Sequence, residues 1–151
     1  MQRGEGPLGS QLLNGSVRLI PLASYTDERG TLSPIDLVEV GLSPVRVFVV
    51  TAPAGTVRGR HGHRTCRQLL MRVSGTIDVE VRCGAETETI RLSADPQDQT
   101  AILIEPGVWA EQRYLTDDAT LLVFADRPYD PSDYVTDCPD VTVESARRER
   151  T

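Results

Sequence analysis

The stretch GTVRGRHGHRTCRQLLMRVSG, Gly55 to Gly75, decides how the rest of the chain is read. It contains both histidines of the protein, His61 and His63. They stand two apart, so on a strand both side chains project from one face. The spacing is Gly55, five residues, His-x-His, four residues, Gln68, six residues, Gly75. Two imidazoles on one face can bind a divalent metal or act as acid and base near neutral pH. Gln68, five residues beyond His63, is neutral and a weak ligand for zinc or iron.

Outward from this stretch the chain reads as β structure. Val17–Leu22 is expected as a short strand. Ser24–Gly30 is turn-rich, and Asp27, Glu28 and Arg29 fit a solvated turn with local charge pairing. Thr31–Val38 is expected as a strand broken near Pro34, and Val45–Thr51 as a buried strand, because it is a continuous β-branched run. Cys66–Val73, Thr76–Arg82, Glu86–Leu92, Thr100–Ile104, Val108–Tyr114 and Ala119–Ala125 follow, with Gly, Pro and Asp between them. TIDVEVR alternates apolar and polar almost without fault. Short strands at such spacing indicate an all-β sandwich or barrel. The expected organisation is a loose N-terminal arm over residues 1–15, one barrel domain over 16–138 and a charged tail over 139–151.

Composition narrows the function. A chain of 151 residues is one ordinary domain. The formal net charge of −6 argues against nucleic acid as a partner. All 16 basic residues are Arg, and each can grip a phosphate with two parallel hydrogen bonds. Cys66, Cys83 and Cys138 are an odd number without metal-type spacing, which suits a reducing compartment. No apolar run approaches the roughly 20 residues of a membrane helix, and the N-terminus shows no apolar leader. A cytoplasmic location is expected, with no membrane partner.

The Gly55–Gly75 spacing resembles the first motif of the cupins, small double-sheet jelly-roll barrels that place a His-x-His in the barrel mouth. Their metal-binding members add a Glu and a later His as ligands. Here Gln68 takes the Glu position. The second motif, Pro-x-Gly-x-x-His, corresponds to Glu105-Pro106-Gly107-Val108-Trp109-Ala110, with Ala110 in the His position. With two ligand positions altered, the metal site is expected to be lost and the histidines free for proton transfer.

Further stretches narrow the resemblance. Asp27-Glu28-Arg29-Gly30-Thr31-Leu32 looks like the "DERG-x-L" of the sugar-nucleotide 3,4-ketoisomerases. Arg58-Gly59-Arg60-His61-Gly62-His63 resembles their "RG-x-H-A-H", and Gln68 matches a Gln of that family. Pro106–Glu111 resembles "P-x-V-W-H-E", and Tyr129-Asp130 with Asp133-Tyr134 resembles the closing "YD-x-x-DY". The resemblance implies a homodimeric, metal-free, cofactor-free cupin that moves the carbonyl of a dTDP-4-keto-6-deoxyhexose from C4 to C3, in deoxyamino-sugar biosynthesis. It implies His61 and His63 as catalytic residues. Arg58, Gln68, Arg46, Trp109, Glu111, Tyr129 and Tyr134 are the expected substrate contacts.

Other roles stay open for several of these residues. Trp109 is a core or rim aromatic, or a stacking platform. Glu111 orients a histidine or an Arg, or lies on the surface. Tyr129 and Tyr134 cover the mouth or pack the tail. The chain also departs from the family. An aromatic "R-V-Y-Y" strand reads Arg46-Val47-Phe48-Val49 here, so two hydroxyls expected in the pocket are absent, and Gly62 replaces an Ala. A non-catalytic sugar-nucleotide-binding cupin and a metal-dependent cupin enzyme are the alternatives. The His-Asp pair and tyrosine acid of dTDP-sugar epimerases have no evident counterpart along the sequence.

Overall fold

The computed structural model describes residues 9–136. The chain opens with β1 (Gln11–Leu12) and β2 (Val17–Pro21), then a hairpin of β3 (Tyr25–Asp27) and β4 (Gly30–Leu32), and helix α1 (Leu37–Val40). Eight strands follow: β5 (Arg46–Thr51), β6 (Val57–His63), β7 (Gln68–Ser74), β8 (Ile77–Cys83), β9 (Glu86–Leu92), β10 (Thr100–Ile104), β11 (Trp109–Tyr114) and β12 (Thr120–Ala125). A final short strand, β13, spans Tyr134–Val135. They form two antiparallel sheets, ordered β1-β2-β10-β7-β12-β5 and β13-β6-β11-β8-β9. This is the expected double-sheet cupin barrel.

Alternation explains most of the packing. Ile77, Val79 and Val81 of β8 are fully buried and meet Leu70, Ile102, Leu121 and Val123 of the facing sheet. Ala101 to Ile104 are all buried because β10 is covered on both faces. On its outer side lie α1 and the chain around it, where Val40 and Leu42 pack with Ile20, Leu69 and Leu103.

Three expectations change. Thr31–Val38 is not a strand: β4 ends at Leu32 and α1 follows. The Asp36 carboxylate accepts hydrogen bonds from the Val38 and Glu39 amides, and Gly41 closes the helix in the left-handed conformation. Leu13, inside the stretch expected as a loose arm, is buried, and Gln11–Leu12 pairs with β2. Val45–Thr51 is an edge strand and not a buried one, with Val47 and Val49 more than half exposed on its outer side. The tail from 139 onward lies outside the described residues.

One irregularity in β6 positions the site. His61 pairs with Ala110 of β11, yet the next partner, Glu111, pairs with Gly59. Arg60 is therefore an extra residue, a β-bulge. Gly59 has φ +85° and Arg60 φ +60°. The bulge resets the alternation, so that Arg58, three residues from His61, turns to the same face.

Gly59 also allows close approach. A Cβ there would lie 2.7 Å from Gln112 Oε1 and 3.0 Å from the Ala110 carbonyl oxygen. Gly59→Ala is expected to destabilise the fold by about 1–3 kcal/mol through left-handed strain and this clash. Denaturant unfolding with an unchanged slope measures it. An unchanged midpoint would contradict the account.

Candidate active site

The inner face of β6 carries Arg58, His61 and His63; that of β11 carries Ala110, Gln112 and Tyr114. With Gln68 and Leu70 of β7, Phe48 and Val50 of β5, Leu121 and Val123 of β12, and Tyr134, most of these side chains line one cavity of about 180 Å³. That is smaller than the roughly 300–1,000 Å³ of pockets that enclose drug-sized ligands. It suits one sugar ring. A wider groove runs along the exposed hairpin β3–β4, but only hairpin residues line it.

The two histidines are held by a segment seventy residues downstream. Strand β13 pairs with β6, setting Tyr134 opposite His63. The Tyr134 ring stacks on His61 with centroids 4.5 Å apart and meets His63 edge-on at 4.8 Å. The two imidazoles lie 5.1 Å apart, nearly perpendicular. Just before Tyr134, Asp133 turns its carboxylate inward. It accepts hydrogen bonds from the Thr65 amide (3.0 Å), the Thr65 hydroxyl (2.8 Å) and the Cys66 amide (3.2 Å). Its Oδ2 stands 3.5 Å from His63 Nδ1.

These contacts fix the tautomers. The Gly59 carbonyl can only accept, so His61 Nδ1, 3.0 Å away, carries a proton. Asp133 beside His63 Nδ1 favours the proton there and leaves Nε2 as the basic atom. His63 is only 7% exposed, and its Nε2 meets no protein partner among the described residues. Burial and the neighbouring His61 push the His63 pKa below its ordinary 6.5, although Asp133 opposes this. Burial works to raise the Asp133 pKa, but its hydrogen bonds from Thr65 and Cys66 and the adjacent His63 hold it below the usual carboxylate value.

Arg46 stands at the mouth. Its guanidinium lies 4.9 Å from the Phe48 ring centroid and 5.5 Å from that of Tyr129, and its buried Nε has no protein partner among the described residues. Tyr129 is exposed and edge-on to Tyr134.

Two expected contacts lie elsewhere. Ala110 faces inward, so its neighbours Trp109 and Glu111 face outward. Trp109 is buried under the Arg82 guanidinium, 4.6 Å from its ring centroid. Glu111 binds Arg60, the bulged residue, at 2.8 Å. Alternation also corrects the reading of Val49, which faces away from the cavity; only Phe48 of that pair reaches it. Gly62 is no mild replacement for Ala here, since a Cβ would come 2.6 Å from the Val108 carbonyl oxygen. Asp133, Gln112 and Tyr114 are the site residues not anticipated. Asp133 stood inside the quoted Asp133-Tyr134 ending, yet nothing local marks its reach to His63. With Tyr134 it supplies the His-Asp pair and neighbouring phenol that the sequence did not reveal. Among the described residues, no three His, Cys, Asp or Glu side chains converge to hold a metal.

The family model described as FdtA, WxcM-like, C-terminal, matches residues 15–144. A TDP-4-oxo-6-deoxy-alpha-D-glucose-3,4-oxoisomerase of Aneurinibacillus thermoaerophilus is 27% identical over 120 residues, 78% of this chain and 84% of that protein. A double mutant of the 3,4-ketoisomerase QdtA from Thermoanaerobacterium thermosaccharolyticum, solved in complex with TDP, is 31% identical. The match covers 81% of this chain and 88% of that one, with a TM-score of 0.73. A single mutant of the same protein, solved with TDP-4-keto-6-deoxyglucose, matches at 29% identity over the same shares with a TM-score of 0.73.

The geometry sets a titration. The His63 ring is expected to titrate below 6.5, and Asp133→Asn is expected to lower its midpoint further, because the Asp133 charge favours the imidazolium. Ring-proton NMR against pH measures both. Since the folded value is depressed, the stability that neutral His63 contributes is present above 6.5 and lost as pH falls through the folded value. A midpoint at or above 6.5 would contradict the assignment.

Proposed function

The chain belongs to the family described as FdtA, WxcM-like, C-terminal, and from that membership we propose that it is a sugar-nucleotide 3,4-ketoisomerase. It moves the carbonyl of a dTDP-4-keto-6-deoxyhexose from C4 to C3, a step in deoxysugar biosynthesis. The observation that carries this reading is His63 Nε2, buried, without a protein partner among the described residues, beside His61 at the edge of a cavity sized for one sugar ring. The related proteins solved with TDP and with a TDP-4-keto sugar support the substrate class.

The chemistry follows from the ketone. The C4 carbonyl acidifies the proton on C3, so a neutral imidazole can remove it. In this reading His63 Nε2 takes the C3 proton, and the electron pair moves to form a C3–C4 double bond with negative charge on the C4 oxygen. The C3 hydroxyl passes its proton to that oxygen as the C3 carbonyl forms, and C4 takes the Nε2 proton of His61 in its imidazolium form, whose Nδ1 proton stays with the Gly59 carbonyl. His63 leaves the cycle carrying the C3 proton, and exchange with water resets both rings. The Arg58 and Gln68 side chains donate hydrogen bonds to the charged oxygen. Two positions of the substrate exchange a hydrogen and an oxidation level, so the reaction balances without an external oxidant or reductant. Arg46, with Tyr129 beside it, is suited to the diphosphate at the mouth.

The same reading includes a homodimer. On the outer face of the six-stranded sheet, register places Val49 beside Leu122 and Met71, and Val47 beside Phe124. Val45, Val47, Val49 and Val73 are each more than half exposed. A contiguous apolar sheet face of this kind is suited to a second copy of itself. Among the described residues, no helix is long and apolar enough to cross a membrane. A nucleotide-linked substrate and cysteines without a pairing pattern support a cytoplasmic location.

Proton NMR of dTDP-4-keto-6-deoxyglucose with the protein is expected to show 3-keto sugar signals replacing those of the substrate. A spectrum unchanged for hours at high protein concentration, with dTDP still bound, would replace this reading with that of a binding protein. For the dimer, light scattering is expected to give a two-chain mass. Val47→Asp with Val49→Asp is expected to give a one-chain mass, and an unchanged mass would exclude this face as the contact.

A further inference from the structure

Three buried side-chain polar atoms have no protein hydrogen-bond partner among the described residues: Arg46 Nε, His63 Nε2 and Tyr114 Oη. The first belongs to the mouth of the site and the second to the histidine pair. The third lies at the other end of the same cavity, and neither the sequence motifs nor the mechanism above uses it. Tyr114 is the last residue of β11 and is fully buried. The alternation of β11 turns it inward with Ala110, the partner of His61, and Gln112, the partner of Arg58. Tyr114 lines the cavity together with His61, Gln68, Arg58 and Phe48.

A buried hydroxyl without a partner is destabilising, and Phe would fill the same space without that cost. The hydroxyl therefore has a use that the protein alone does not reveal. Leu70, Leu121, Val123 and Phe48 form the apolar walls, so a hydrogen bond made there is strong and little screened. Burial raises the Tyr114 pKa, although Arg58 opposes it, so at neutral pH the phenol keeps its proton and acts as a donor. Four residues of strand separate Ala110 from Tyr114, about 13 Å at 3.3–3.4 Å per residue. The cavity that His61 and Tyr114 both line, about 180 Å³, has room for one sugar ring. If the diphosphate stays with Arg46 at the mouth, C1 of the sugar faces the mouth and C3 and C4 point inward. The oxygens that exchange oxidation level then approach the inner end of the cavity.

The geometry points to Tyr114 as a catalytic electrophile: its hydroxyl donates a hydrogen bond to the C4 oxygen of the bound sugar, as ketone and, more strongly, as enediolate. The inference rests on the ketoisomerase reading and adds to it. It also gives the cavity one phenol hydroxyl where Phe48 provides none.

Tyr114→Phe tests it, because the ring and its packing remain. The expected result is a fall in kcat of about a hundredfold, the size of effect seen on removing one oxyanion donor, with KM changed little. Thermal stability should stay equal or rise, since the unpaired hydroxyl is gone. A second measurement does not depend on turnover. Infrared difference spectra of substrate carrying ¹³C at C4 are recorded on His63→Asn and on the double variant with Tyr114→Phe. The C4 carbonyl stretch is expected at higher frequency in the double variant. Unchanged kcat with an unchanged stretch would overturn the inference while leaving the ketoisomerase reading intact. A fall in kcat with an unchanged stretch would also overturn it, since Tyr114 would then act through packing. Absence of turnover by the unsubstituted protein, together with no bound-carbonyl band, would end both readings together.

Discussion

A strand that alternated without interruption from Val57 to His63 could not turn Arg58 and His61 to the same side. The extra residue at Arg60 removes that obstacle. It requires a left-handed pair, Gly59 at φ +85° and Arg60 at φ +60°. A left-handed Arg costs on the order of 1 kcal/mol, and its contact with Glu111 on the outside offsets part of that. In return, a guanidinium capable of gripping an anion and an imidazole capable of moving a proton share one cavity wall. Without the bulge Arg58 would face solvent, and the wall would hold histidines alone.

The second constraint comes from far along the chain. Asp133 ties the Thr65–Cys66 backbone to the end of β6, and Tyr134 lies across both imidazoles. Each ring is thereby fixed by packing on one side and a hydrogen-bonding or ionic contact at Nδ1. Fixed rings do not reorganise during a reaction, which is how preorganised groups lower a barrier. The buried polar atoms around the cavity that find no partner among the described residues are the other side of this arrangement. They lower the stability of the free protein and are the groups left for a ligand to satisfy.

Much of this was legible in the sequence because of period two. TIDVEVR declared its buried face, and the His-x-His spacing set two side chains on one wall. The same rule, applied once more, would have corrected the expected contacts. If Ala110 faces in, Trp109 and Glu111 face out; if Phe48 faces in, Val49 faces out. Helix α1 was missed because four residues are too few for a helical period, although Asp36 and Gly41 were its cap signals. The apolar run of β5 did not distinguish a buried strand from an edge strand with an apolar outer face. The His63–Asp133 contact was beyond reach for a different reason. It joins residues seventy apart through a pairing of β13 with β6 that only the folded barrel creates.

In the proposed reaction the proton transfers are divided between two neighbouring imidazoles: His63, neutral and backed by Asp133, as the base at C3, and His61 as the acid at C4. Tracing deuterium separates these roles. In deuterium oxide, dTDP-4-keto-6-deoxyglucose recovered after exposure to the His61→Asn variant should carry deuterium at C3, although little 3-keto product forms. The same sugar recovered from His63→Asn should carry none. Exchange at C3 that persists in His63→Asn and stops in His61→Asn would contradict the division and reverse the two roles.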